Sequence, residues 1–263
     1  MPAEGVKLEG EAVWKPGPKG VALWRYWLDM CATVKTRLEE TGANLVLLIN
    51  GDLTDGRVFR DQDLVDIDLS SQVKVALTCL APLVALKPRK VFVTRGTPVH
   101  VGPKGSLENA IARSIGAEVH PETKTRSGYK WNLECYGRKI LAAHHPPSAG
   151  RLPRTRKSQQ VLNANTVANL YWERGLECPD FVFWSHIHEP CDTGPAMPHR
   201  TEPRVIVLGP WQRRTQYAHR VAGNAMGQEH HACLLTIWPD RNRTPYVEHL
   251  MYPKRYKLTE VKV

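Results

Sequence analysis

The side chains best suited to chemistry in this 263-residue chain are a few histidines and one acidic loop. The segment FVFWSHIHEP, residues 181–190, sets His186 and His188 two apart behind a hydrophobic run. On the end of a strand, side chains two apart face the same way, so both imidazoles are expected on one side. Imidazole binds transition metals and shuttles protons near neutral pH. The same logic applies at three further strand ends. NLVLLINGDLTDG places Asn50, Asp52 and Asp55 after an apolar run, KVFVTRGTPVH places Arg95 and His100, and RKILAAHHPP places His144 and His145. In an open α/β sheet ligands bind at the carboxyl ends of the strands, so residues far apart in sequence can meet there. A carboxylate beside several imidazoles suits Mn, Fe or Zn.

The elements that must position these groups follow from periodicity. Residues 22–40 repeat apolar side chains (Trp24, Trp27, Leu28, Cys31, Val34, Leu38) at three- and four-residue steps, the mark of an amphipathic helix whose aromatic stripe belongs in a core. Strands are predicted at 45–49, in KVFV, RKILAA and DFVFW, and in RVIV. Helices are predicted over 71–86, from Ser106 and over 161–174. Strand, helix, strand succession implies parallel pairing with loops gathered at one edge. HACLLTIWP and PYVEHLMYP, joined through PDRNRTP, read as a closing hairpin. The fold class is α/β, a sandwich with mixed sheets flanked by helices, and 1–263 is expected to be a single domain.

Composition narrows the setting. No apolar run approaches bilayer length, and nothing near Met1 resembles a signal peptide, so a cytoplasmic protein without membrane association is expected. Six cysteines occur without any CxxC pair and are expected to be reduced thiols. A net charge of +10 favours polyanionic partners such as nucleic acid, nucleotides or other phosphate esters.

In order and content, GDLTD, RGTPVH, HHPP and SHIH resemble the motifs of the calcineurin-like metallophosphoesterases, whose pattern runs DxH, GDxxD, GNH(D/E), a histidine-bearing strand end and GHxH. RGTPVHVG and GRLP are most similar to a phage and prophage branch of that family. The resemblance spans residues 44–211 and implies an αββα sandwich with two divalent ions, Mn, Fe or Zn. Asp52 would bridge the ions, His144 and His186 would serve one, and His188 the other, with His145 as the alternative to His144. A metal-activated hydroxide would attack phosphorus, and His100 would assist the leaving group. Ser185 replaces the glycine of the last motif, His100 arrives two positions late in the third, and two larger departures follow. Thr97 stands where the family has a metal-binding asparagine, and no DxH precedes the first helix. The second departure implies either a first strand encoded upstream or a site reduced to one metal or none.

Basic residues after the strands, Arg95, Arg151, Arg154, Arg156, Lys157, Arg213 and Arg214, are candidates for holding phosphate, because arginine forks match phosphate oxygens. Three functions compete: a metal-dependent phosphodiesterase or nuclease, a degenerate relative that binds nucleic acid without cutting it, and a protein phosphatase. His230 and His231 are adjacent and would face opposite sides of a strand, so they are not expected to chelate together.

Overall fold

The computed structural model describes residues 1–8, 12–56, 68–148, 156–194, 202–212 and 230–252. The chain opens with a short antiparallel ribbon, β1 (Val6–Lys7) and β2 (Val13–Trp14), and then enters the long helix α1 (Pro18–Thr41). Proline at the first turn suits a helix start, and Gly42 closes the end in the left-handed conformation at φ 63°. Strand β3 (Val46–Ile49), helix α2 (Leu69–Val84) and strand β4 (Lys90–Val93) form the expected crossover, with β3 and β4 parallel. Asp68 caps α2 by accepting from the Ser71 amide. The one-turn helix α3 (Pro98–Val101), a 3-10 turn at Pro103–Gly105 and α4 (Ser106–Ser114) follow.

A second sheet is built from β5 (Lys130–Cys135), β6 (Arg138–Ala143), β7 (Phe181–Trp184), β8 (Cys191–Asp192) and β9 (Arg204–Val207), in the order β5-β6-β7-β9-β8. Pairing is parallel for β6-β7 and β7-β9 and antiparallel at both edges, so the sheet is mixed. Helix α5 (Arg156–Glu173) connects β6 to β7. The antiparallel hairpin β10 (His230–Thr236) and β11 (Tyr246–Tyr252) ends the described chain.

Four clusters of buried side chains define the layers. Leu48 and Phe92 from β3 and β4, with Cys233, Leu235 and Val247 from the hairpin, meet Trp131, Phe181, Phe183 and Ile206 of the five-stranded sheet. The other face of β3 and β4 packs on α2 and α4 through Val91, Val93, Leu80 and Ile111, and α1 meets the hairpin through Met30, Val34, Leu250 and Tyr252. On the far side, Val167 of α5 covers Val182 and Val205. The order is therefore helix, sheet, sheet, helix, an αββα sandwich. The near-continuous apolar β7 is buried at all four positions, as a strand covered on both faces must be. Among the helices described, none is long and apolar enough to cross a membrane. All six cysteines are free, and burial pushes the thiols of Cys31 and Cys233 up to about 12.

Candidate metal centre

Five strands from two sheets end at one edge of the sandwich, and the loops leaving them are stitched together through the backbone. Thr94 N donates to Ile49 O at 2.9 Å, Ser185 N to His144 O at 2.9 Å, and Leu208 N to Trp184 O at 2.8 Å. The two sheets join where the His144 ring reaches the loop after β3. There His144 Nδ1 lies 2.6 Å from the Asn50 carbonyl. Two glycines permit this approach. A Cβ on Gly51, which also has φ +79°, would lie 2.5 Å from His144 Nδ1, and one on Gly96 would lie 2.2 Å from Asp52 Oδ1.

Asp52 is the hub. Its Oδ1 accepts from the Thr97 amide at 2.6 Å and its Oδ2 from the Thr97 hydroxyl at 3.0 Å, while His144 Nε2 lies 2.8 Å from the same Oδ2. The Thr97 hydroxyl is also 3.2 Å from His186 Nδ1 and 3.4 Å from His145 Nε2. The rings of His144, His145 and His186 stand 4.2 to 5.4 Å apart between centroids. Each ring offers one nitrogen, and these three nitrogens lie within 4.8 Å of one another.

The His144 ring carries the most information. A carbonyl only accepts, so Nδ1 facing Asn50 O must hold a proton, and in the neutral ring Nε2 is then a bare lone pair. That lone pair points at a carboxylate oxygen 2.8 Å away in a position with only 3% exposure, and Nε2 makes no well-aligned hydrogen bond among the described residues. Two lone pairs at that distance repel unless a cation lies between or beside them. A proton or a metal ion satisfies the pair. The donor set, neutral imidazoles with one carboxylate, therefore fits a divalent transition metal.

Electrostatics agree with the geometry. Burial pushes the Asp52 carboxyl up, but His144, His100 and the Thr97 amide outweigh it and hold the group at about 2. Burial pushes His144 down, and the bond and charge of Asp52 more than reverse this, so His144 is raised. Burial and the neighbouring imidazoles lower His145 and bring His186 down to about 4, which keeps those rings neutral with lone pairs free. Beneath the loops, Glu108 is fully buried and accepts the Gly96 amide at 2.8 Å, and burial lifts its carboxyl to about 7.

Asp52, His186 and His188 all adopt left-handed backbone at φ 54°, 66° and 55°. For side chains of this size that conformation costs energy and gathers at functional sites. It also corrects the strand geometry expected for the HxH pair. Strand β7 stops at Trp184, and Ile187 N turns back to Ser185 O at 2.7 Å, so His186 and His188 sit on a tight turn with Ile187 buried between them. Only His186 of the two joins the three-imidazole group.

His100 returns to the site despite its shift in sequence, because α3 is a single turn. Its Nδ1 faces the Asp55 carbonyl at 2.8 Å, which places the proton on Nδ1 and leaves Nε2 available. Arg95 is not among the groups around Asp52. It is buried, with Nη2 spent on the Ser127 carbonyl at 3.2 Å and the guanidinium 4.7 Å from the Tyr129 ring centroid, so its place in the structure is that of an internal brace. Arg151, Arg154, Arg213 and Arg214 lie outside the described residues, as do the side chains of Arg156 and Lys157.

A second polar array escaped the sequence reading. Gly209 N donates to His231 Nδ1 at 3.4 Å, His231 Nε2 meets His249 Nδ1 at 2.9 Å, and His249 Nε2 meets Asp192 Oδ2 at 2.6 Å. Arg204 grips both Asp192 oxygens at 3.0 and 2.6 Å. Donor and acceptor alternate along the row, which fixes both tautomers. His230 Nδ1–H donates to the Pro210 carbonyl at 2.8 Å, and Trp211 packs in the core against Trp27. The two adjacent histidines thus hold the loop after β9 instead of a ligand.

No protein-family description matches this chain, and no curated protein is similar to it. Solved structures with a related arrangement include an archaeal phosphodiesterase, 12% identical over 84% of this chain and 92% of that one, with a TM-score of 0.40. A hypothetical protein from Thermus thermophilus is 15% identical over 88% and 94%, with a TM-score of 0.39. A Thermotoga maritima protein is 16% identical over 64% and 85%, with a TM-score of 0.31. At these scores the likenesses say nothing about activity. What the fold and the site define by themselves is an αββα sandwich with a histidine and aspartate cluster, fit for a metal ion, at the carboxyl ends of its strands.

Proposed function

We propose that this protein is a metal-dependent phosphoesterase of the calcineurin-like type, acting as a phosphodiesterase or nuclease. The observation that carries the reading is the buried contact between His144 Nε2 and Asp52 Oδ2, surrounded by two further imidazoles and the Thr97 hydroxyl. A divalent ion held by Asp52, His144 and His186 would supply an activated hydroxide and charge for the phosphoryl oxygens. The chain's own groups do the rest. Asn50 O fixes the His144 tautomer, the Thr97 amide and hydroxyl orient the Asp52 carboxylate, and His100, with Nδ1–H committed to Asp55 O, would hand a proton from Nε2 to a leaving oxygen once that nitrogen is also protonated. The +10 net charge supports a polyanionic substrate such as nucleic acid or a nucleotide, with Arg151 and Arg154 as candidates for gripping phosphate.

The test is turnover of bis(p-nitrophenyl) phosphate with Mn or Zn added to purified protein. Hydrolysis that disappears in Asp52→Asn supports the reading. A purified chain that retains bound nucleic acid but cleaves no phosphodiester in any divalent ion would instead be a binding protein, the reading that Thr97 in place of an asparagine favours.

A further inference from the structure

We propose that the centre holds one ion rather than two, and that His145 is its third imidazole ligand alongside His144 and His186. The inference rests on reading the cluster as a metal centre and concerns how this particular chain builds it.

Three observations carry it. The first is the donor inventory. Beyond any bridging carboxylate, a dinuclear centre needs further donors of its own for each ion, with the ions roughly 3.5 to 4 Å apart. Among the described residues the only group of three or more metal-capable side chains is His144, His145 and His186. His188 stands one residue beyond the buried Ile187 and is not part of that group. The second is space. The Thr97 hydroxyl alone reaches Asp52 Oδ2 at 3.0 Å, His186 Nδ1 at 3.2 Å and His145 Nε2 at 3.4 Å, so a single oxygen spans the gap between the rings. A gap that one hydroxyl spans accommodates one ion. The third is orientation. His145 Nε2 and His186 Nδ1 both face the Thr97 hydroxyl, and His144 Nε2 faces the Asp52 oxygen that accepts from that hydroxyl, its other nitrogen being committed to Asn50 O.

Bond lengths of about 2.0 to 2.1 Å to each nitrogen would bring the three to about 3.4 Å apart in a tetrahedron. The 4.8 Å limit then closes through rotation of His145, the exposed member. Asp52, oriented by the Thr97 amide and hydroxyl, would supply the carboxylate ligand and balance the ion's charge. Three neutral imidazoles with one carboxylate define a site for zinc or cobalt in preference to magnesium or calcium.

Cobalt(II) reports on this directly, because tetrahedral nitrogen ligation gives intense visible bands whether or not the protein turns over substrate. The metal-free full chain is titrated with Co(II) and followed by absorbance and calorimetry. One equivalent with tetrahedral bands is expected, together with at least a tenfold loss of affinity in His145→Ala and less than a twofold change in His188→Ala. His145 is exposed, so its removal leaves the core intact, and His145→Gln provides a second variant with the same expected loss. Two equivalents in the unaltered chain, or a loss in His188→Ala with none in either His145 variant, would overturn the proposal. A chain that binds one cobalt through His145 yet hydrolyses no phosphodiester keeps this assignment and loses the catalytic one.

Discussion

Replacing Asp52 with asparagine keeps the shape of the hub and removes its charge, and the consequence for stability can be worked out. In the metal-free protein the carboxyl is held at about 2 against an ordinary 3.8. At about 1.4 kcal/mol for each tenfold change, this amounts to about 2 to 3 kcal/mol at neutral pH. The sign follows from the direction of the shift. A depressed acid stabilises the fold above its ordinary pKa, and that contribution is lost as pH falls from about 4 to about 2. His144 is the other half of the same pair. Its raised pKa stabilises the fold below 6.5, and that contribution is lost as pH rises through its folded value, so the two are not added. Urea unfolding of EDTA-treated protein between pH 2 and pH 8 is the assay. Asp52→Asn is expected to be about 2 to 3 kcal/mol less stable near pH 6, with the gap closing toward pH 2. A gap that stays constant across this range would refute the pairing of Asp52 with a charged His144.

Gly96→Ala would drive a Cβ to 2.2 Å from Asp52 Oδ1 and 2.4 Å from the Asp52 amide. A cost of about 1 to 3 kcal/mol in thermal melts is expected, along with weaker cobalt binding in titrations. Asp192→Asn breaks the grip of Arg204 and the acceptor for His249, both partly buried, and should cost about 1 to 3 kcal/mol by urea unfolding while cobalt affinity stays unchanged. Trp172 is 80% exposed on α5, so Trp172→Lys should change the urea midpoint by no more than about 0.5 kcal/mol in stability.

The sequence displayed most of what a strand or helix pattern can display. The α1 stripe, the β3-α2-β4 crossover and the β10-β11 hairpin follow from apolar spacing alone, because each buries a continuous face. Strand β5 was missed, although Trp131, Leu133 and Cys135 alternate with Lys130, Asn132 and Glu134, and Tyr136-Gly137 turns at φ 47° and 73°. A tyrosine in the left-handed region hides the hairpin signal that Asn-Gly would have given. The convergence of strand ends was legible from the order of motifs. The turn that separates His186 from His188 was not, since backbone handedness at a histidine leaves no mark on its neighbours. Glu108 looked like an ordinary first-turn acid in SLENAI, and its burial is decided by the loops folded over it. The row from Asp192 through His249 to His231 joins residues 57 and 18 positions apart, a distance that no local pattern reports.

The most direct test of a cation pocket at these strand ends is anomalous diffraction at the zinc edge from crystals grown with one equivalent of zinc. A single strong peak is expected within bonding distance of His144 Nε2 and the facing nitrogens of His145 and His186, at Asp52. A fully loaded crystal whose peak lies elsewhere on the molecule would contradict this assignment.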